Sequence, residues 1–308
     1  MHMSAQKNPV TFLGGYSPRQ GLLGVITSPD EAGSAPFCRF YTYNLSKDQW
    51  GIGREDFQFT CRSITYLLDD PAGYKAWWLL GENGEAVEIR AGVATIEDIP
   101  GAGLKVPHPY GYLAAIRNIG GELYACGYGR QVYRRRGQWT SVTDPILTRE
   151  TARGFRDIDG TGRDARYAVG YHGEIYFHDG TAWHRDDTPT TEHLTSVRCV
   201  GLDDVWVCGH NGVVLHGRYN RWQVIQDPAF TGGWWSVEEF GGRIYLATTD
   251  GLANIDGSSI KPVDVGLGRS ITTDRLHASE GLLWSIGSKD ILVFDGQTWK
   301  EVLHPDNA

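Results

Sequence analysis

Apolar and polar residues alternate along 195–201 and 204–209, and again along 213–217 and 221–226, so the two-residue period of a half-buried strand recurs within one short stretch of chain. Gly209-His210-Asn211-Gly212 separates the second run from the third and supplies residues that tolerate positive φ, as a tight hairpin needs. Residues 217–220 turn the third run back onto the fourth. Four antiparallel strands, a to d, are expected from this unit alone.

The unit repeats. Tyr124-Ala125-Cys126-Gly127 leads to Trp139, Tyr167-Ala168-Val169-Gly170 to Trp183, Trp206-Val207-Cys208-Gly209 to Trp222, and Trp284-Ser285-Ile286-Gly287 to Trp299, with Gly-to-Trp separations of 12, 13, 13 and 12 residues. Weaker copies run from Trp77-Trp78-Leu79-Leu80-Gly81 to Thr95 and from Ile244-Tyr245-Leu246-Ala247-Thr248 to Ile260, and an N-terminal unit ends at Trp50. The seven anchors, at 50, 95, 139, 183, 222, 260 and 299, are 45, 44, 44, 39, 38 and 39 residues apart, the period of a four-stranded propeller blade. The expected fold is all-β: a seven-bladed β-propeller with four antiparallel strands per blade. It forms a single domain over 1–308, with blades near 9–55, 57–100, 106–145, 151–188, 193–228, 233–265 and 270–304. The recurrent Trp opens strand d, where its ring is expected to lie over the neighbouring blade. From Pro9-Val10-Thr11-Phe12 to Trp299-Lys300-Glu301-Val302 the strands divide into seven sets of four, so closure by face packing of the last blade on the first is expected, without a swapped strand.

The segments RYAVGYHGEIYFHDGTAW at 166–183 and DVWVCGHNGVVLH at 204–216 resemble the VWAVG-x-x-G-x-I-x-H-x-DG-x-x-W repeats of bacterial propellers, which are similar to the photosystem II assembly-factor and sialidase-like propellers. The resemblance implies architecture over most of the chain and little about activity, since such folds host unrelated functions.

Composition agrees with β structure: 40 of 308 residues are Gly, and Trp and Tyr contribute 11 and 15. The net charge of −8 argues against a protein that grips a phosphate backbone, so no nucleic-acid partner is expected. The basic run Arg134-Arg135-Arg136 is read as a solvated strand end. No stretch has the apolar length of a membrane span and the start shows no secretory signal, which points to a cytoplasmic protein without membrane contact. Cys38, Cys61, Cys126, Cys199 and Cys208 are odd in number, widely spaced and set in apolar runs without C-x-x-C, so buried free thiols are expected.

No chemistry stands out. Asp157-Ile158-Asp159-Gly160-Thr161-Gly162-Arg163-Asp164 resembles the start of a calcium loop, but the twelfth position is Ala168 and Arg163 intrudes, so a Gly-rich turn is expected. The ten histidines share no facial spacing that marks a metal site. G-x-S-x-G, the P-loop and H-E-x-x-H are all missing from the sequence, and Glu238-Glu239 and Asp186-Asp187 point to opposite faces of a strand. Asp295-Gly296-Gln297-Thr298-Trp299 lacks the leading spacing of a sialidase Asp-box and is read as a c–d turn. Neither cofactor nor metal nor catalysis is expected.

The d–a and b–c connections of a propeller share one face, and here the d–a connections (101–110, 144–154, 185–193, 227–235 and 266–272) are long and varied whereas the c–d turns are short and alike. Recognition is therefore expected on the d–a and b–c face. Tyr110, Arg149, Arg153, His193, Phe230, Trp234, Trp235 and Arg269 come from the first set of loops, and Tyr128, Arg130, Tyr171, His172 and His210 from the second. Aromatic and Arg side chains together are what binding hot spots use. Alternation turns one of Trp234 and Trp235 inward. The favoured function is a monomeric, non-catalytic propeller that binds a protein, such as a bacterial immunity protein capping a toxin domain, or an assembly factor. The competing reading is a carbohydrate or small-ligand site in the central channel, serving binding or a glycosidase or lyase.

Overall fold

A computed structural model describes residues 8–51, 55–69, 73–150, 152–162 and 164–307. Its strands form seven sheets, each built from consecutive strands of the chain, with strand a nearest the axis and strand d at the rim. Among the described residues, helix is confined to four three-residue 3-10 turns. The inner strands are Val10–Arg19, Cys61–Asp69, Leu113–Ile119, Phe155–Gly160, Leu194–Cys199, Ser236–Phe240 and Arg275–Ser279. Arg163 and residue 151, where the fourth blade was expected to begin, lie outside the described residues.

The recurrent Gly of the repeat ends strand b where it meets the start of strand a. A Cβ on Gly127, Gly170, Gly209 or Gly287 would run into the backbone carbonyl of Tyr112, Gly154, His193 or Thr272 respectively. In the second to fifth blades strand a bulges at that point, between Cys61 and Ser63, Leu113 and Ala115, Phe155 and Asp157, and Leu194 and Ser196. The extra residue bends the inner strand and re-aims side chains toward the channel mouth.

The recurrent Trp opens strand d and reaches back to the preceding blade. Trp139 Nε1 donates to Glu97 at 2.7 Å, Trp183 Nε1 to the Val142 carbonyl at 3.1 Å, and Trp222 Nε1 to Asp186 at 2.9 Å. Trp50 does the same across the closure, donating to the Leu303 carbonyl at 2.9 Å. In the second blade the equivalent residue is Ala94, paired with Ile89, and not Thr95, which is exposed. The first blade also departs from the repeat, because both Gln49–Trp50 and Glu55–Phe57 pair with Cys38–Asn44 and divide the rim strand in two.

Among the described residues no strand crosses the closure. The seventh sheet takes all four strands from the C-terminal end of the chain, and the ring closes through a shared core of Phe12, Leu23, Tyr43, Trp284 and Val302. Asn307 adds a clasp, accepting from Val10 N at 2.8 Å and donating to its carbonyl at 3.0 Å.

One expectation about the cysteines fails. Cys38 and Cys61 form a disulfide with Cα atoms 5.6 Å apart, joining strand c of the first blade to strand a of the second, while Cys126, Cys199 and Cys208 are buried free thiols. The pair is 23 residues apart in sequence, and only ring geometry brings the two blades together. Reduction is expected to cost about 2 kcal/mol, within the usual disulfide range, and to lower the melting temperature without unfolding the propeller. Identical melts with and without dithiothreitol would contradict this.

Candidate functional site

The axis of the ring is filled by charge. Side chains from all seven inner strands surround a cavity of about 110 Å³. Arg117 reaches Asp157 at 2.9 Å, and Arg198 reaches Glu238 at 2.7 Å and Asp159 at 3.7 Å. The inner strands have no further strand to pair with, so side chains take that role. Asp157 accepts from Val197 N and Asp159 from Cys199 N, Ser196 Oγ accepts from Val237 N, and Ser236 Oγ accepts from Leu276 N, each step linking one blade to the next. His277 donates through Nε2 to the Ser17 carbonyl at 2.9 Å and stacks on Tyr16 with ring centroids 4.0 Å apart. Burial pushes the Glu238 carboxyl up to about 7 against the pull of Arg198, and pushes His277 down to about 3. The calcium-loop resemblance dissolves here, because Asp157 and Asp159 lie two apart on an inner strand and both point at the axis. Among the described residues no group of three or more His, Cys, Asp or Glu side chains is placed to hold a metal. A cavity of this size, crowded by ion pairs, falls below the range of ordinary small-ligand sites.

The d–a and b–c face carries a continuous arc of rings. Tyr128 and Tyr171 share a hydroxyl hydrogen bond with rings 4.9 Å apart; Tyr171 meets His193 at 5.2 Å, His193 meets His210 at 5.4 Å, and His210 meets Trp235 at 5.4 Å. His172, held at positive φ, sits 4.9 Å from His193 and donates its backbone N–H to His193 Nδ1 at 3.0 Å. That bond leaves the Nδ1 lone pair occupied and the ring neutral. Burial lowers the His193 pKa, and the neighbouring His172 and His210 lower it further. Trp235 is anchored by Nε1 to Thr249 Oγ1 at 3.0 Å, which fixes a half-buried ring with one face outward. The arc spans loops of the third, fourth, fifth and sixth blades.

The other expected residues fall into supporting places. Trp234 is 1 % exposed and belongs to the core, with Phe230 packed on it at 5.3 Å. Of that pair it is the inward-facing member, and it offers a partner no contact. Arg130 and Arg153 converge on Glu174, at 2.6 Å and 3.2 Å, and the Glu174 side chain is completely buried. Arg130 thus braces the loops, while Arg153 remains partly exposed. Arg149 lies over the Tyr110 ring at 4.2 Å and extends the aromatic surface past Tyr128. Arg269 is apart from the arc, bound to Asp290 and Glu301 in the seventh blade. Sequence reasoning missed Arg156, which donates to the Tyr171 hydroxyl at 3.3 Å from the channel mouth. The bulge that turns it there has no sequence signature beyond the following Asp-x-Asp.

No family model matches the chain. An immune protein, Tsi7 of Pseudomonas aeruginosa, is 34% identical over 288 residues, which cover 92% of this chain and 94% of the relative. The chain belongs to the Tsi7 immune-protein family. Solved structures agree on the fold alone. YCF48 bound to D1 peptide has a TM-score of 0.61 at 14% identity, covering 80% of this chain and 82% of that one. The WD40 propeller domain of Doa1 has a TM-score of 0.65 at 9% identity, covering 94% and 96%. No helix among the described residues is long and apolar enough to cross a membrane.

Proposed function

We propose that this chain is the immunity partner of a toxin and neutralises it by binding through the d–a and b–c face. The observation that carries the reading is the family membership, and the arc from Tyr128 to Trp235 gives it a surface of suitable chemistry. Rings held by neighbours lose little freedom on binding, and Tyr, Trp and Arg dominate hot spots for that reason. A monomeric disc acting in the cytoplasm belongs to this reading. In that reducing milieu Cys38 and Cys61 would be thiols, and the fold is expected to withstand the change.

The test is protection. Sensitive cells that express the cognate toxin should grow when the chain is co-expressed, and the two polypeptides should elute as one complex. Growth arrest regardless of this chain would overturn the proposal.

A further inference from the structure

On the opposite face, between the third and fourth blades, the run Arg134-Arg135-Arg136 proves not to be a solvated strand end. Strand alternation sends Arg135 toward the second blade, where its guanidinium lies 4.5 Å from the Trp78 ring and its Nε 2.7 Å from Glu97. Arg134 and Arg136 face the other way, into a pocket of about 460 Å³ that Arg166, His178, Thr181 and Trp183 also line.

Positive charge accumulates there. Arg166 is 5 % exposed, its guanidinium lies 5.0 Å from the Tyr124 ring, and it donates to His178 Nδ1 at 2.6 Å. Gly180 N donates to the same Nδ1 at 3.0 Å, so His178 is a neutral acceptor, and burial and Arg166 together push its pKa down to about 4. Burial lowers the Arg166 pKa and the nearby Arg134 lowers it further, against the opposing pull of Tyr124, Glu122 and Asp164. Two acids line the pocket, Glu122 and Asp164; Glu122 already receives Arg136 at 2.5 Å and the Tyr124 hydroxyl at 3.0 Å, and Asp164 is exposed. Arg134 Nε is buried and has no hydrogen-bond partner among the described residues.

We propose that this pocket binds a phosphate group, free or carried by a small monoester. A dianionic tetrahedral oxyanion offers an acceptor to the buried Arg134 Nε and further acceptors to the guanidinium groups beside it, where three arginines meet two carboxylates. The Trp183 ring flanks the opening and gives an organic substituent a surface. The site is independent of the toxin reading, because it lies at the a–b and c–d end of the ring.

Calorimetric titration of the full chain with inorganic phosphate, and separately with glycerol 3-phosphate, should each give one site per chain. Tighter binding of the monoester would identify an organic phosphate as the occupant; tighter inorganic phosphate would identify the free ion. Arg134→Gln should weaken binding by about tenfold or more, the effect of one charge-assisted contact. In chloride the same variant should melt no lower than the parent, which separates lost binding from lost folding. Arg135→Gln, on the other side of the strand, should bind as the parent does. The proposal is overturned if neither ligand binds at matched ionic strength. It is equally overturned if phosphate raises the melting temperature of Arg134→Gln as much as that of the parent, the behaviour of a salt merely excluded from protein surfaces.

Discussion

Replacing Arg198 with Met is expected to destabilise the propeller by about 3–5 kcal/mol at pH 8, and by clearly less at pH 5. Met keeps the apolar stem and removes only the charge. Glu238 and Asp159, whose side chains are 6% and 13% exposed, would then sit at the axis without the cation that faces them. Uncompensated buried charge is among the few single-residue lesions of this size. The pH dependence follows from sign. Burial raises the folded pKa of Glu238 to about 7, above its ordinary value of 4.5, so the fold favours its protonated form. Stability from this group is present below the unfolded carboxylate range and is lost as pH rises through about 7. Arg198 opposes that loss, and removing it steepens the fall. Urea denaturation at both pH values checks the expectation; a pH-independent loss under about 1 kcal/mol would mean that the axial network is solvated and contributes little.

Much of the architecture was legible because each blade repeats the same local physics. In the third, fourth, fifth and seventh blades a glycine fits where strand b meets the backbone at the start of strand a, and an aromatic on strand d is the simplest cover for the gap to the preceding blade. Both leave a period in the sequence. The weak second copy misled by one residue, since Ala94 holds the anchor position without being an aromatic.

Features that depend on how one blade faces the next were not legible. Cys38 and Cys61 belong to different blades, and their pairing appears only when those blades are adjacent. Asp157 and Asp159 were expected in a Gly-rich turn and lie instead on the inner strand Phe155–Gly160, because linear spacing does not reveal an axis to point at. The alternation of Trp234 and Trp235 gave one buried and one half-exposed ring, but which was which depended on the backbone leaving the 227–235 connection. The face expected to bind contains a contiguous arc, while Arg130, Trp234 and Arg269 have structural neighbours that no sequence period encodes.

The second large effect is expected in binding. Trp235, His210 and Tyr171 lie in one arc with consecutive ring contacts, so their replacement by Ala should remove adjoining parts of one contact surface. Each single change is expected to cost about 2 kcal/mol in affinity for the toxin, and the triple variant about 4 kcal/mol or more, since hot-spot losses within one patch do not simply add. The fold should survive the Trp235 and His210 changes, because both rings are half-exposed; Tyr171 is buried, so its variant is compared with the parent by thermal melt before its affinity is read. Measuring toxin affinity for these variants beside Asn220→Ala and Gln297→Ala, at the c–d turns of the other face, tests the account most directly. It predicts weakened binding for the first set and unchanged binding for the second. Normal binding by the arc variants together with loss at Asn220 or Gln297 would contradict it.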